Sequence, residues 1–428
     1  MLITIGRKVL FSTTGLIYGA LLFIALFTYF FPVSLPGLPV TTDRLLQLAG
    51  IAYFVFVLKG RLPRPLALFL LYSFVILVAI SVSLVLNGST DDQTVKQALS
   101  SMMYVFGALV ITACLRKIAG QDAFGTLLKW TLIVAAVQAA LSLFLFFNKE
   151  LQASVIAFIG GDMGDHMLHF SAVRLIAIAK GQMQYGNMAV FYGIASFITM
   201  LWMGRTSSIV PKILFFLFFV AGILSARSYL LVLGVGLFVL FLLNAKKKGI
   251  ARSIYYCMIG LFILVAITIA GMKYLENSEY KETYEWAFEV FLNMAENGSL
   301  EAESTEVMKS MYVFPEKAST WIIGDGRLAN PDDTFYMHTD IGYLRYLYCC
   351  GIIGSLLIYY AQIRYCRIAS ALTDNRDYKY LFGFILLWAF IYLTKEIYNT
   401  AQWMTLFTAA LCVDKEHKNP LSCPKSIS

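Results

Sequence analysis

Four cations and one histidine stand out in this sequence because each lies where an otherwise apolar chain should carry none. Arg227 sits in Ser225-Ala226-Arg227-Ser228, a turn too short to be a free loop between two apolar runs. A guanidinium fixed there suits phosphate or pyrophosphate, which Arg grips through paired hydrogen bonds; the plainer reading is an Arg that snorkels to lipid phosphates. Arg174, in His169-Phe170-Ser171-Ala172-Val173-Arg174, precedes the run from Ala179 and Lys180 to Tyr185, Gly186 and Asn187, and is the second cation suited to phosphate. Topological anchoring is its competing role, and Lys180 is a weaker candidate. His338, Asp340 and Arg345 lie in Met337-His338-Thr339-Asp340-Ile341-Gly342-Tyr343-Leu344-Arg345, where a polar stretch turns apolar. An imidazole at a helix mouth can take a proton from an alcohol or donate to a phosphate. Thr339 and Asp340 are equally suited to capping the orphan N–H groups of a helix start.

Other chemistries find less support. Asp162, Asp165, His166 and His169 match no common zinc or calcium spacing, so no metal is expected. Seven cysteines show no CxxC or Cys/His grouping. No GxGxxG, Walker or GxSxG sequence occurs, which leaves nucleotide chemistry and serine hydrolysis without a motif. Lys395 and Glu396 interrupt the last apolar stretch and read as a turn between two short helices, although a buried Glu there would also serve as a base.

The elements that must position these residues are membrane helices. With 59% hydrophobic and 14% charged residues, the chain is far more apolar than a soluble domain. Its mean hydropathy is +0.70. Apolar runs of about 20 residues mean helices rather than a barrel, since unpaired backbone groups are costly in hydrocarbon. The expected architecture is an all-α integral membrane protein of twelve spans: 9–31, 44–58, 66–86, 98–115, 124–147, 186–204, 209–224, 228–243, 253–271, 340–361, 379–394 and 397–413. The first reads as a retained signal anchor. The expected organisation is helices 1–9 over 1–271, a large external loop over 272–337, helices 10–12 over 338–413 and a tail over 414–428.

Basic residues favour short cytoplasmic loops. Placing the N-terminus inside puts 21 of the 34 Lys and Arg residues on that side, so both termini are expected to be cytoplasmic, and the net charge of +8 follows topology rather than nucleic acid. The loop from Met272 to Met337 then faces outward with 13 acids against 5 bases. Within it Glu276, Glu279, Glu282, Glu285 and Glu289 interleave with Tyr280, Tyr284, Trp286 and Phe288, as in an amphipathic interfacial helix. Such a surface either binds carbohydrate or is a solvated helix face. A second external segment spans 148–185, and no internal repeat is evident.

The order of a long loop, Ile322-Ile323-Gly324-Asp325-Gly326, His338-Thr339-Asp340-Ile341-Gly342-Tyr343-Leu344 and Gly351-Ile352-Ile353-Gly354 resembles the bacterial O-antigen polymerase (Wzy) and O-antigen ligase superfamily. The turn around Arg227 looks like that family's short Arg-bearing turn, and Arg174 like its other outward Arg. One departure is plain: the usual Pro-Asn pair after the first Arg appears here as Gly186-Asn187. The resemblance implies a GT-C-like bundle at the bacterial inner membrane with no metal, cofactor or nucleotide sugar. The donor is then a glycan on undecaprenyl pyrophosphate, and a chain-length regulator is an expected partner. The acceptor is another lipid-linked repeat unit for a polymerase, which the His-Thr-Asp-Ile-Gly form favours, or lipid A core for a ligase.

Chemistry fits this assignment independently. Fixed cations stabilise the charge that grows on a leaving pyrophosphate, which casts Arg174, Arg227 and Arg345 as its ligands, His338 as the group receiving the acceptor proton, and Asp340 as its support. Loop aromatics, Trp321 and Tyr336 among them, would stack on sugars. A transporter or flippase of lipid-linked oligosaccharide is the alternative from another class, and a structural or regulatory membrane partner a third.

Overall fold

The computed structural model describes residues 13–34, 40–159, 164–180, 184–248, 280–298, 303–331 and 334–418. The expected ninth span at 253–271, together with Asp162, Glu276, Glu279, Cys257 and Cys423, lies outside these residues. Among the described residues the regular structure is helical, with isolated bridges at Ser34–Thr41 and Ala329–Phe335. Five helices are long and apolar enough to cross a membrane, and three shorter ones are also apolar. This is a helical protein of multi-pass membrane character. The chain divides into two compact units that alternate along the sequence.

The first unit comprises Met1–Ala25, Leu46–Leu127 and Glu303–Ser428. Its frame is α3 (Arg64–Asn87), α4 (Gln93–Ile118), α14 (Gly342–Ala371), α15 (Arg376–Tyr392) and α16 (Ala401–Lys418). Here α4 packs on α3 and α16, and α14 on α3, α15 and α16. Lipid tails are as apolar as the helices, so packing rather than hydrophobic expulsion must hold them together. The buried side chains fit that demand: Ala108, Thr112, Thr405, Thr408, Ala409 and Ala410 allow close approach, and Phe69 stacks on Tyr365 at 4.3 Å. Helix ends are fixed locally. Pro65 stands in the first turn of α3, Gly88 closes it in the left-handed region at φ 58°, and Asn375 caps α15 by accepting from Asp377 N–H at 3.0 Å. The start of α5 (Ala123–Phe146) is capped from afar, by the Asp414 carboxylate accepting from the Ala123 and Phe124 N–H groups.

The second unit comprises Leu26–Leu45 and Leu128–Ala302. It holds the end of α1 (Thr13–Phe30), the start of α2 (Thr42–Ala52), most of α5, α6 (Lys149–Ile159), α7 (Gly164–Phe170), α8 (Gly186–Met203), α9 (Val210–Ser225), α10 (Ser228–Lys248) and α11 (Lys281–Asn297). Its centre is α8 between α9 and α10. Gly193 lets α10 close in, because a Cβ there would lie 2.1 Å from Val232. Phe30 and Phe31 set their rings against Phe191 at 5.1 and 4.8 Å.

Three sequence expectations change in detail. The segment expected to be external, 148–185, carries two short helices, α6 and α7, for which the sequence alone assigns no secondary structure. The short span at 44–58 is α2 followed by a π turn over Tyr53–Val57. The span expected at 340–361 is part of a 30-residue helix, α14, that is broken at Cys350 and Gly351. The polar excursion also divides. Helix α11 belongs to the second unit, whereas α12 (Glu303–Ser310), α13 (Ala318–Ile323) and the chain up to His338 belong to the first.

Candidate functional site

The expected residues fall into two clusters, one in each unit. In the second unit, the chain between α7 and α8 is bound by its own polar groups. Gln184 accepts from Ala177 N–H and donates to the carbonyls of Ala177 and Ala179, while Lys149 Nζ reaches the Ser171 carbonyl at 2.9 Å. Leu175 N–H donates to Leu224 O at 2.8 Å, tying this stretch to the end of α9. Arg174 is thereby placed in an aromatic cage. Its guanidinium carbon lies 4.6 Å from the Phe170 ring, 5.4 Å from Tyr185 and 4.7 Å from Trp286.

Arg227, in the turn from α9 to α10, stands 5.4 Å from the same Trp286 ring and forms an ion pair with Glu289 on α11. The Trp286 ring is therefore in contact with two guanidinium groups. Burial, and then the positive charge of Arg227, lowers the pKa of Arg174 from its ordinary value, and burial pushes the Tyr185 phenol up to about 12. Two like charges that feel each other this way disfavour each other, so an anion near both gains from both. The surroundings of Glu282 and Glu285 are those of a solvated face, while Thr283, Tyr284, Ala287 and Phe288 are buried, as an amphipathic α11 requires. Lys180 is exposed, its backbone N–H bonded to Pro32 O at 2.6 Å. His169 is also exposed, and the side chains of Asp165 and His166 lie outside the described ones.

In the first unit, Asp340 and Arg345 come together at the start of α14. Their closest approach is 3.8 Å, between Asp340 Oδ1 and an Arg345 terminal nitrogen. Arg345 is only 7% exposed, and its guanidinium lies 4.1 Å from the Phe335 ring. Glu396, from the turn after α15, adds a second negative charge and accepts from Tyr392 Oη at 3.0 Å. Burial first, and Glu396 second, push the Asp340 carboxyl up to about 6, against the opposing pull of Arg345 and Lys395. Neither Asp340 nor Thr339 is the N-cap residue of α14. That position belongs to Ile341, whose N–H is 3.3 Å from Thr339 Oγ1. His338 is exposed, and it and Met337 both hold left-handed backbone, at φ 52° and 54°, which is costly for residues with a Cβ and clusters at functional sites.

The Gly-Asp-Gly element has a structural task beside this cluster. Asp325 N–H and Gly326 N–H donate to the carbonyls of Tyr348 and Cys349, at 2.6 and 3.1 Å, next to the break in α14. Ser83 Oγ lies 2.7 and 2.8 Å from the carbonyls of Ile323 and Cys349. Asp325 itself accepts from Thr320 and Tyr336 hydroxyls. Tyr336 is thus hydrogen-bonded and set edge-on to Tyr348, while Trp321 donates to Pro315 O at 2.8 Å and stacks with Phe314. Both rings expected at sugar are engaged in local packing.

Arg345, expected beside phosphate, has anionic rather than cationic company. Trp286, Glu289 and Asp91 are the partners that sequence reasoning did not assign. Asp91 accepts from Leu328 and Ala329 N–H and so holds the chain leading to His338. Among the described residues no group of three or more His, Cys, Asp or Glu side chains forms a metal-ligand set. No family model matches this chain, and no curated protein and no solved structure is found to be similar to it.

Proposed function

We propose that this protein is a membrane polymerase of surface polysaccharide that extends lipid-linked repeat units at the outer face of a bacterial inner membrane. The observation that carries the reading is the pair of guanidinium groups, Arg174 and Arg227, gathered on the one Trp286 ring at 4.7 and 5.4 Å. Rigid, partly desolvated cations stabilise a diphosphate leaving group more as its charge develops than in the ground state. Motif order supports the same reading, as do the outward Arg-bearing turn and His338 at the start of the helix that follows the loop.

In the proposed reaction an acceptor hydroxyl attacks the anomeric carbon of the donor glycan. The new C–O bond forms as the bond to undecaprenyl pyrophosphate breaks, with inversion, and the hydroxyl proton passes to His338. Arg174 and Arg227 hold the departing diphosphate, and Asp340 supports the proton transfer. The full fold is proposed to be GT-C-like with twelve spans, cytoplasmic termini and the 272–337 loop outside, acting with a chain-length regulator.

The test is reconstitution of the purified full chain in vesicles with undecaprenyl-pyrophosphate repeat units. Wild-type protein should lengthen the glycan, while Arg227→Ala and His338→Ala should leave single units. Supplying lipid A core as the only acceptor separates a ligase. The break in α14 is the feature a transporter reading would use, because interrupted helices line transport sites; relocation of the lipid without lengthening would select it. Labelling of cysteine probes at Leu300→Cys from outside, with Lys247→Cys silent, checks the orientation.

A further inference from the structure

The Asp340–Arg345–Glu396 cluster is polar, buried and incompletely bonded. Arg345 is only 7% exposed and Asp340 29%, and among the described residues the buried Arg345 Nε donates to nothing and the buried Asp340 Oδ1 accepts from nothing. The closest approach of the two side chains is 3.8 Å, from Asp340 Oδ1 to a terminal nitrogen of Arg345, beyond hydrogen-bond length. Buried polar atoms are nearly always satisfied, so two orphans across one gap call for a third species that both donates and accepts.

The backbone fixes the two sides of this cluster. A Cβ at Gly342 would fall 2.5 Å from the Glu396 carbonyl, so the start of α14 lies hard against the turn after α15. Tyr343 N–H donates to Leu393 O at 3.1 Å and its hydroxyl to Phe390 O. Tyr392 fixes the Glu396 carboxylate from its own helix. The aromatic wall is Phe335, whose ring covers the guanidinium while remaining 42% exposed.

We infer that Asp340, Arg345 and Glu396 form a subsite for adjacent hydroxyls of a neutral sugar, with Phe335 as the platform for the sugar's C–H face. Two carboxyl groups beside one guanidinium repel an anion, which argues against phosphate here. A hydroxyl donates to Asp340 or Glu396 and accepts from Arg345 Nε at once, satisfying both orphans. An exposed aromatic ring beside charged planar groups suits a pyranose, which has apolar faces and polar edges. Resting on the proposed polymerase, this subsite holds the acceptor sugar, so that Arg345 acts on hydroxyls and the diphosphate is left to Arg174 and Arg227.

The experiment is saturation-transfer NMR on the detergent-purified full chain, with galactose and N-acetylglucosamine as neutral probes and glucuronate and inorganic pyrophosphate as anionic ones. Wild-type protein should transfer saturation to the neutral sugars. Asp340→Asn and Glu396→Gln, which keep shape while changing hydrogen bonding, should reduce the signal at least about fivefold, and Lys96→Ala, at an exposed position on α4, should leave it intact. Thermal melts of each variant identify any that fails to fold, and Phe335→Ala, at an exposed ring, supplies an independent loss. Equal neutral-sugar signals in wild type, Asp340→Asn, Glu396→Gln and Phe335→Ala overturn the subsite, as does a signal from the anions alone. Neutral-sugar binding lost in these variants, in a protein that lengthens no glycan, keeps the subsite and rejects the polymerase. Glycan lengthening with unaltered sugar binding in the variants does the reverse.

Discussion

Gly324 and Gly351 meet backbone to backbone: a Cβ on Gly324 would lie 2.6 Å from Cys350 N, and one on Gly351 2.3 Å from Ile322 O. Both hold left-handed backbone, at φ 78° and 63°. The contact lets the Gly-Asp-Gly segment satisfy carbonyls at the break in α14, so one crossing both interrupts the helix and seals the interruption.

Gly351→Ala should therefore destabilise the protein by more than the roughly 1 kcal/mol conformational cost of a non-glycine residue in this region, because the added methyl also strikes backbone. The expected readout is a fall of roughly 3 °C or more in the melting temperature of detergent-purified protein. An unchanged melt would show that α14 is not held by this crossing.

Asp414 caps a helix to which it is not joined in sequence. Asp414→Ala leaves the Ala123 and Phe124 N–H groups without that carboxylate and should cost about 1 kcal/mol, typical of a lost N-cap. Hydrogen exchange in the first turn of α5 should rise in the variant, while that in the middle of α8 stays the same.

Glu289 competes with any anion for Arg227. In the proposed reaction Glu289→Gln should lower the donor concentration needed for half-maximal rate by roughly fivefold, since one charge pair near a partly buried guanidinium is worth on the order of 1 kcal/mol. Trp286→Ala, which removes the ring that both Arg174 and Arg227 contact, should raise that concentration and leave the acceptor requirement unaltered. Steady-state rates with donor and acceptor varied separately check both outcomes.

Acid should strengthen the start of α14. The Asp340 carboxyl is pushed up to about 6 by burial and by Glu396, with Arg345 and Lys395 opposing, so folding favours its neutral form. Its contribution to stability is full below the ordinary carboxylate range and is lost as pH rises through about 6. Melting temperatures between pH 4 and pH 8 should show the Asp340→Asn variant gaining on wild type up to about pH 6 to 7 and holding a constant lead above it. A constant difference across the whole range would place the carboxyl in water.

The helical, membrane-like character was legible in the sequence because it depends on local apolar runs. Spans expected at 66–86, 98–115, 124–147 and 186–204 fall on α3, α4, α5 and α8 for that reason. The isolated cations were legible too, since Arg174 and Arg227 interrupt apolar sequence. So was the turn at Lys395 and Glu396. Local pattern could not show that Trp286 and Glu289, on a helix that reads as solvated, pack against those cations. Nor could it show that the carboxylate beside Arg345 is joined by another from a turn some fifty residues onward. Hydropathy records whether a side chain prefers lipid or water, one residue at a time. Which charges become neighbours, and which polar atoms are left facing a gap, depends on how distant helices pack, and only the tertiary structure decided that.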